Sequence, residues 1–415
     1  MYALAIDLGT TTLATSLIEL ASGKRLAMTG SMNPQRRFGA DVVTRLDAAV
    51  HSEEALQEMT RLIRAELWRL AGQLCETTAI PWTSVQQIAI AGNPAMQHIL
   101  LGMPVRPLAF PPYRPAVTAG TYRVAHELGW EGNAAVYVFP MPGGFVGGDT
   151  VAFLLGAQPG EATLCLDMGT NGEMALVAGD TVWATSVAAG PAFEGGNLSC
   201  GMAALTGAIS SVSIQDDRVT LAVIGATAPV GICGSAAIET VAGLLNHNLI
   251  EPGGRLRDPG EIPSNLATRV IQHKGENSFV LHRDAKQLLL LTQGDIRQIQ
   301  LAKGAIRAGM EVLAVKACIR FQALKDVILT GSFGAVLQPE WLKTIGIFDS
   351  SMVQMCRFTP EGALSGVERA IFAADGFASA ERTGRRFRVI PLSGTPVFET
   401  LFMQHINFPD TNHSS

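Results

Sequence analysis

Cysteine is scarce and scattered in this 415-residue chain. Cys75, Cys165, Cys200, Cys233, Cys318 and Cys356 each stand alone, with no C-x-x-C pair and no histidine at metal-ligand spacing. That pattern argues against a zinc site or an iron–sulfur cluster held by these residues. Charge is scarce too: Asp, Glu, Lys and Arg make up 16% of residues and the net charge is -5, which gives nucleic acid no basic surface to bind. Long apolar runs are missing, because charged or turn residues interrupt every candidate, so no segment reads as a bilayer span. The first residues turn acidic and Gly-rich too early for a signal peptide, and the expectation is a cytoplasmic protein.

What is abundant is small and apolar. Hydrophobic residues make up 47% and glycines number 43, a profile for an α/β protein with many tight turns. The length suffices for two domains, each with its own core.

The apolar segment Tyr2–Ile6 runs into Asp7-Leu8-Gly9-Thr10-Thr11-Thr12, continues as Leu13–Leu20, turns at Ser22-Gly23 and predicts a third strand near 26–30. Residues 41–75 carry Val42, Leu46, Leu56, Met59, Ile63, Leu67 and Leu70 at helical spacing. From Thr163 the grammar restarts, with an apolar strand, then Asp167-Met168-Gly169-Thr170-Asn171-Gly172-Glu173, then two more strands to Thr185. Further on, a helix is expected after Gly234-Ser235, a long one over 295–313, and a strand over Asp326–Thr330 ending in Gly331-Ser332-Phe333-Gly334. The Pro-, Gly- and charge-rich segment 251–280 reads as a surface excursion.

A hairpin turn carrying Gly and Thr aims several N–H groups and hydroxyls at one point, a geometry that holds phosphate oxygens without a cationic side chain. The aspartate ending the preceding strand offers a hard oxygen to Mg²⁺, normally through water. One Asp-x-Gly-Thr turn is as well explained by an aspartate capping its own hairpin. Two copies, each opening strand-turn-strand, favour nucleotide binding.

With these two turns, and with Gly331-Ser332-Phe333-Gly334 in the place of an adenosine motif, the sequence resembles the actin/Hsp70/sugar-kinase (ASKHA) superfamily. The resemblance implies an α/β fold of two ribonuclease-H-like domains around a hinged ATP-binding cleft. On that reading residues 1–160, completed by 365–409, form the first domain, 161–364 the second, and 410–415 a flexible tail.

Five further blocks narrow the resemblance to reductive activators of corrinoid proteins: Gly92-Asn93-Pro94-Ala95-Met96-Gln97-His98, Gly190-Pro191-Ala192-Phe193-Glu194-Gly195-Gly196, Gly231-Ile232-Cys233-Gly234-Ser235, Asp295 to Lys303, and Phe408-Pro409. This family resemblance implies a homodimeric ATPase that drives one electron onto a Co(II) corrinoid protein of a methyltransferase system. Such a transfer loses about tenfold in equilibrium for every 59 mV uphill. Family members usually carry an amino-terminal [2Fe–2S] domain. No cysteine set here replaces it, so the expectation is a separate ferredoxin-like electron donor and no cluster held by these residues.

The resemblance and the turn chemistry nominate Asp7 and Asp167 as catalytic and Mg²⁺-binding residues, and Gly9, Thr10, Thr11, Thr12, Gly169, Thr170, Asn171 and Gly172 as phosphate ligands. Gly190, Gly234, Ser235, Gly331, Ser332, Phe333 and Gly334 complete the nucleotide set. Lys303, in a helix, is an adenine or ribose contact on the family block alone; a helical cation is otherwise a solvated one. Glu173 either orients the lytic water or holds its loop. Asp149, after Gly147-Gly148, either caps a helix or acts near the γ-phosphate as a base or Mg²⁺-water ligand. Ser199 is the candidate contact to the corrinoid, although an ordinary loop serine fits as well. Two other functions remain open: a small-molecule kinase with Asp149 as base, and a nucleotide-dependent sensor or scaffold. The scattered cysteines disfavour an activator of 2-hydroxyacyl-CoA dehydratases.

Overall fold

A computed structural model describes residues 1–331 and 337–410. The chain divides into two compact units, one of residues 1–160, 177–185 and 361–390, the other of 161–176, 186–360 and the residues from 391 onward.

In the first unit six strands, β1 (Tyr2–Leu8), β2 (Thr12–Glu19), β3 (Arg25–Met32), β4 (Val85–Gly92), β5 (Thr121–Val124) and β6 (Ala135–Val138), form a sheet of order β3-β2-β1-β4-β6-β5. The central β1 is apolar almost throughout and buried on both faces, as a strand covered by helices must be. It runs antiparallel to β2 and parallel to β4, which sets Asp7 opposite Ala14 on one side and Ala91 on the other. Strands β1 and β4 thus end together, at Leu8 and Gly92.

The helical periodicity over 41–75 is interrupted where the sequence pattern runs straight through. Ser52 adopts an extended backbone (φ -145°, ψ 120°), ending one helix, Val42–His51, and capping the next, Glu53–Thr78. Its hydroxyl accepts from the Ala55 N–H at 3.1 Å, and Glu53 and Glu54 favour the helix start electrostatically. The second helix buries Met59, Ile63, Leu67, Leu70 and Leu74 against Leu4, Ile6, Ile88 and Ile90 of the sheet. Burying each of these side chains contributes roughly 1.5–3 kcal/mol before conformational entropy is counted.

In the second unit, β7 (Thr163–Met168), β8 (Gly172–Ala178), β16 (Asp326–Thr330) and β17 (Cys356–Phe358) stand in the order β17-β16-β7-β8. Strand β16 is parallel to β7, with Thr330 opposite Asp167. Two three-stranded sheets accompany them: β10 (Ala208–Gln215) between β11 (Arg218–Val223) and β12 (Gly231–Ile232), and β14 (Glu276–Arg283) between β13 (Val270–His273) and β15 (Leu288–Thr292). Part of the segment expected to be a surface excursion is therefore sheet, and Phe279 and Leu281 on β14 are buried. Within that segment Val270-Ile271 and Phe279-Val280 are apolar pairs, too short for a periodic signal beside the Pro, Gly and charge of 251–261. Helix Gln293–Ala317 starts at a capping box between Thr292 and Asp295.

Val182–Ala184 of β9 (Thr181–Val187) pair in parallel with β18 (Phe387–Val389). The division into units differs from the expected completion of the first domain by 365–409: residues 361–390 group with the first unit and those from 391 onward with the second. The latter belong there because helix Pro396–His405 packs on helix Gln293–Ala317. The His405 ring meets the Glu311 carboxylate at 2.9 Å, and a side chain on Gly304 would crowd the His405 carbonyl at 3.3 Å.

Candidate phosphate-binding turns

The turn between β1 and β2 is gripped from two sides. The Asn33 side-chain amide donates to the Gly9 carbonyl at 2.9 Å, and the Asn33 N–H donates to the Thr11 carbonyl at 2.8 Å. From the other side the Asn93 amide donates to the Thr10 hydroxyl oxygen at 2.7 Å. Both asparagines precede proline, and both cap a helical segment with the oxygen of the same side chain, Asn33 accepting from Gln35 N–H and Asn93 from Met96 N–H. Each Asn-Pro pair thus starts a helix and clamps the turn at once. Gly9 is needed for its lack of a side chain, since a Cβ there would lie 2.4 Å from the Thr12 carbonyl. Gly9, Thr10 and Thr11 are half-buried and Thr12 is exposed. Among the described residues the hydroxyls of Thr11 and Thr12 have no hydrogen-bond partner.

Gln97, fully buried, fastens a second loop to this end of the sheet. Its carbonyl accepts from Gly92 N–H and Gly148 N–H, each at 3.2 Å, and its amide donates to the Phe139 carbonyl at 2.7 Å. Gly147 allows the approach, as a Cβ there would stand 2.5 Å from the Gly92 carbonyl. Helix Gly148–Ala157 then begins with Asp149 in its first turn. Asp149 is not the residue before the helix, so the capping alternative is corrected to a first-turn position; its carboxylate accepts from the Thr150 N–H at 2.7 Å. Burial pushes its carboxyl up to about 6, and the hydrogen bonds from Thr150 offset only part of that rise. A carboxylate in that range can take up and release a proton near neutrality.

The second turn is built differently. Gly169 N–H closes it on the Asn171 carbonyl at 3.0 Å, and Gly190 N–H reaches the Thr170 carbonyl at 3.0 Å. The Thr170 hydroxyl donates to the Glu194 carboxylate. Expected as a phosphate donor, that hydroxyl therefore has its proton committed, and what Thr170 offers an anion is its main-chain N–H. Gly172 opens β8, whereas a Cβ on Gly169 would meet nothing closer than 3.5 Å. Glu173, next along β8, accepts from the Ser186 hydroxyl at 3.1 Å.

Asp167 ends β7 beside the end of β16, where a Cβ on Gly331 would come within 3.3 Å of the Asp167 carboxylate. Ser332, Phe333 and Gly334 lie outside the described residues. Gly234 and Ser235 start helix Gly234–Asn246, and Gly234 packs so closely on Phe193 that a side chain there would overlap the Phe193 carbonyl. Both are buried, and the Ser235 hydroxyl lies 3.3 Å from the Cys233 sulfur. Asp167, Gly169, Thr170, Gly190, Glu194 and Gly331 are thus brought together, with Gly234 behind the Phe193 loop.

Lys303 stands with other company. It is 1% exposed, its ammonium donates to the Asn407 carbonyl, and it sits 5.5 Å over the Phe408 ring. Burial, reinforced by the nearby Arg307, pulls its pKa down to about 7. Ser199 is exposed, but its N–H and hydroxyl both go to Asp295, at 2.7 and 3.1 Å. All six cysteines are free thiols, and burial pushes Cys200 up to about 11 and Cys356 up to about 12. Among the described residues no group of three or more His, Cys, Asp or Glu side chains is placed to hold a metal ion, and no helix is long and apolar enough to cross a membrane.

Asn33 lies outside every motif read from the sequence, whereas Asn93, Gln97 and Glu194 stand inside the family blocks but carried no assigned role. The local signal at both asparagines is the Asn-Pro pair that marks a capped helix start.

Comparison with known proteins decides the family. The model of the RACo middle region matches residues 2–158, and that of the C-terminal domain of RACo, the ASKHA domain, matches residues 161–415. The chain belongs to the RACo family. Among curated proteins it is similar to the corrinoid activation enzyme RamQ of Eubacterium limosum, with 29% identity over 99% of this chain and 71% of the relative. It is also similar to the [Co(II) methylated amine-specific corrinoid protein] reductase of Methanosarcina barkeri, with 27% identity over 83% of this chain and 65% of the relative. A solved reductive activator for corrinoid, iron–sulfur protein superposes with a TM-score of 0.86 at 30% identity, covering 99% of this chain and 66% of that one. This RACo-family chain therefore spans about two thirds of the length of the relatives it matches.

Proposed function

We propose that the chain binds and hydrolyses ATP with Mg²⁺ and thereby activates a corrinoid protein, promoting reduction of its Co(II) to Co(I). The observation that carries this reading is the pair of Asp-x-Gly-Thr turns, each placed at the end of a central strand, in a chain whose relatives are corrinoid activators and reductases.

Asp7 and Asp167 fit a hard cation held through water, since each is a carboxylate at a strand end beside a hydroxyl-bearing turn. Magnesium, when bound, neutralises phosphate charge. The protein's own part is orientation. The clamped β1–β2 turn offers the Thr10 hydroxyl to phosphate oxygens, the Gly169–Gly172 turn offers main-chain N–H groups, and Asp149 receives a proton from the attacking water. In the overall change ATP and water give ADP and phosphate, while one electron from a separate iron–sulfur protein converts Co(II) to Co(I). Coupling requires that ATP and the corrinoid protein each favour the same conformational state.

The test mixes the purified chain, ATP and Mg²⁺, a reduced ferredoxin and a Co(II) corrinoid protein, and follows the absorbance of Co(I). ATP-dependent reduction that disappears in Asp7→Ala and Asp167→Ala supports the proposal. ATP turnover without reduction of any corrinoid protein, together with phosphate transfer to a soluble acceptor, replaces it with the kinase reading, in which Asp149 is the base.

A further inference from the structure

We infer that Asn93 is a positioning residue that fixes the hydrogen-bond polarity of Thr10, making the Thr10 hydroxyl an obligate donor to an anionic phosphate oxygen; this rests on the phosphate-binding reading of the β1–β2 turn.

The two ends of an asparagine amide are told apart by their neighbours. Here the oxygen of Asn93 is committed, because it accepts the Met96 N–H at 3.0 Å as the cap of helix Pro94–Leu101. Turning the amide over would set NH₂ against that N–H. The group facing Thr10 is therefore the NH₂, 2.7 Å from the hydroxyl oxygen. Asn93 is 8% exposed, so little water competes for either end.

A hydroxyl has one proton and two lone pairs. With a lone pair of Thr10 occupied by Asn93, its proton must point elsewhere, and among the described residues nothing accepts it. A phosphate oxygen is an acceptor that a lone pair repels and an O–H attracts. The helix cap thus dictates which face of a hydroxyl, on a turn far away in sequence, the ligand meets. The equivalent threonine of the second turn has the reverse arrangement, with the Thr170 proton given to Glu194. The two turns are alike in sequence and opposite in hydroxyl polarity.

The substitution Asn93→Ser separates the two duties of the side chain. Serine caps a helix about as well as asparagine but is too short to reach Thr10. ATP binding in the presence of Mg²⁺ is measured by calorimetry for the wild-type chain, Asn93→Ser, Thr10→Val, Thr10→Ser and the combinations. Asn93→Ser is expected to weaken ATP binding about tenfold to a hundredfold, the scale of one hydrogen bond to a charged group, with little loss of thermal stability. The same substitution has no further effect in the Thr10→Val background and keeps its full effect in Thr10→Ser, which retains a hydroxyl. A merely structural asparagine would act equally in all three backgrounds, and that result overturns the inference. Wild-type-like ATP binding by Asn93→Ser overturns it too. A wild-type chain that binds no ATP overturns the nucleotide reading itself, and the inference with it.

Discussion

The Asp295 carboxylate accepts both polar hydrogens of Ser199, the main-chain N–H at 2.7 Å and the hydroxyl at 3.1 Å. Its other oxygen accepts the Thr292 N–H at 2.8 Å, so one buried side chain caps helix Gln293–Ala317 and pins an exposed loop. Removing it strands two main-chain donors.

Asp295→Ala should therefore destabilise the chain by about 1–3 kcal/mol, because half of the capping box is lost and the Thr292 and Ser199 N–H groups lose their acceptor. Chemical denaturation measures the loss, and hydrogen exchange should rise around 197–201. Ser199→Ala removes only a hydroxyl from the surface and should cost about 1 kcal/mol or less. If Ser199 meets the corrinoid, Ser199→Ala lowers the rate of Co(I) formation about tenfold while ATP binding is unchanged. An unchanged rate reduces Ser199 to a loop anchor.

The two Asp-x-Gly-Thr turns should respond differently to one methyl group. At Gly9 an added Cβ lies 2.4 Å from the Thr12 carbonyl, and at Gly169 its nearest contact is 3.5 Å from the Asn171 carbonyl. Gly9→Ala should cost about 1–3 kcal/mol and disorder the first turn, whereas Gly169→Ala should stay within about 0.5 kcal/mol of wild type. Melting temperatures of the two variants decide the matter. Equal losses would mean that the backbone of the first turn yields more readily than its clamps imply.

That asymmetry marks how far the chain could be read from its residues. The strand-turn-strand units at 2–32 and 163–187 were legible because apolar period and Gly-Thr turns are local signals. The break at Ser52 was not, because the apolar spacing continues across it and only the backbone turns aside. The clamps were hidden for another reason: Asn93 reaches Thr10 and Gln97 reaches Gly148 by side-chain hydrogen bonds between segments distant in sequence, which no periodicity records. The two turns look equivalent in sequence because their difference resides in those partners.

Asp149 makes folding stability depend on pH in a particular direction. Its carboxyl titrates at about 6 in the folded chain, above an ordinary aspartate at 3.8, so between these values the folded state holds more protons than the unfolded one. Stability is then lost as pH rises through that window. Asp149→Asn keeps an oxygen for the Thr150 N–H and removes the ionisation. It should be more stable than wild type by about 1–3 kcal/mol at pH 7–8, with the advantage gone below about pH 4. If Asp149 also serves the reaction, the same variant loses ATP turnover, so that stability and activity move in opposite directions. Denaturant titrations at several pH values, paired with phosphate release, report both.

Lys303 acts in the opposite sense. Burial brings its pKa from 10.5 to about 7, so between these values the unfolded chain holds the extra proton. Stability from this group rises with pH across the window and is lost as pH falls through about 7. Lys303→Met fills the same space without a charge to desolvate, and should flatten the rise in stability between about pH 7 and 10. The lost bond to the Asn407 carbonyl should at the same time speed hydrogen exchange at 406–408, where the Phe408 N–H is held by the Pro252 carbonyl at 2.8 Å. A variant that keeps the wild-type pH slope would show that the Lys303 ammonium stays charged over the Phe408 ring, with the attraction of that ring for a cation offsetting its burial.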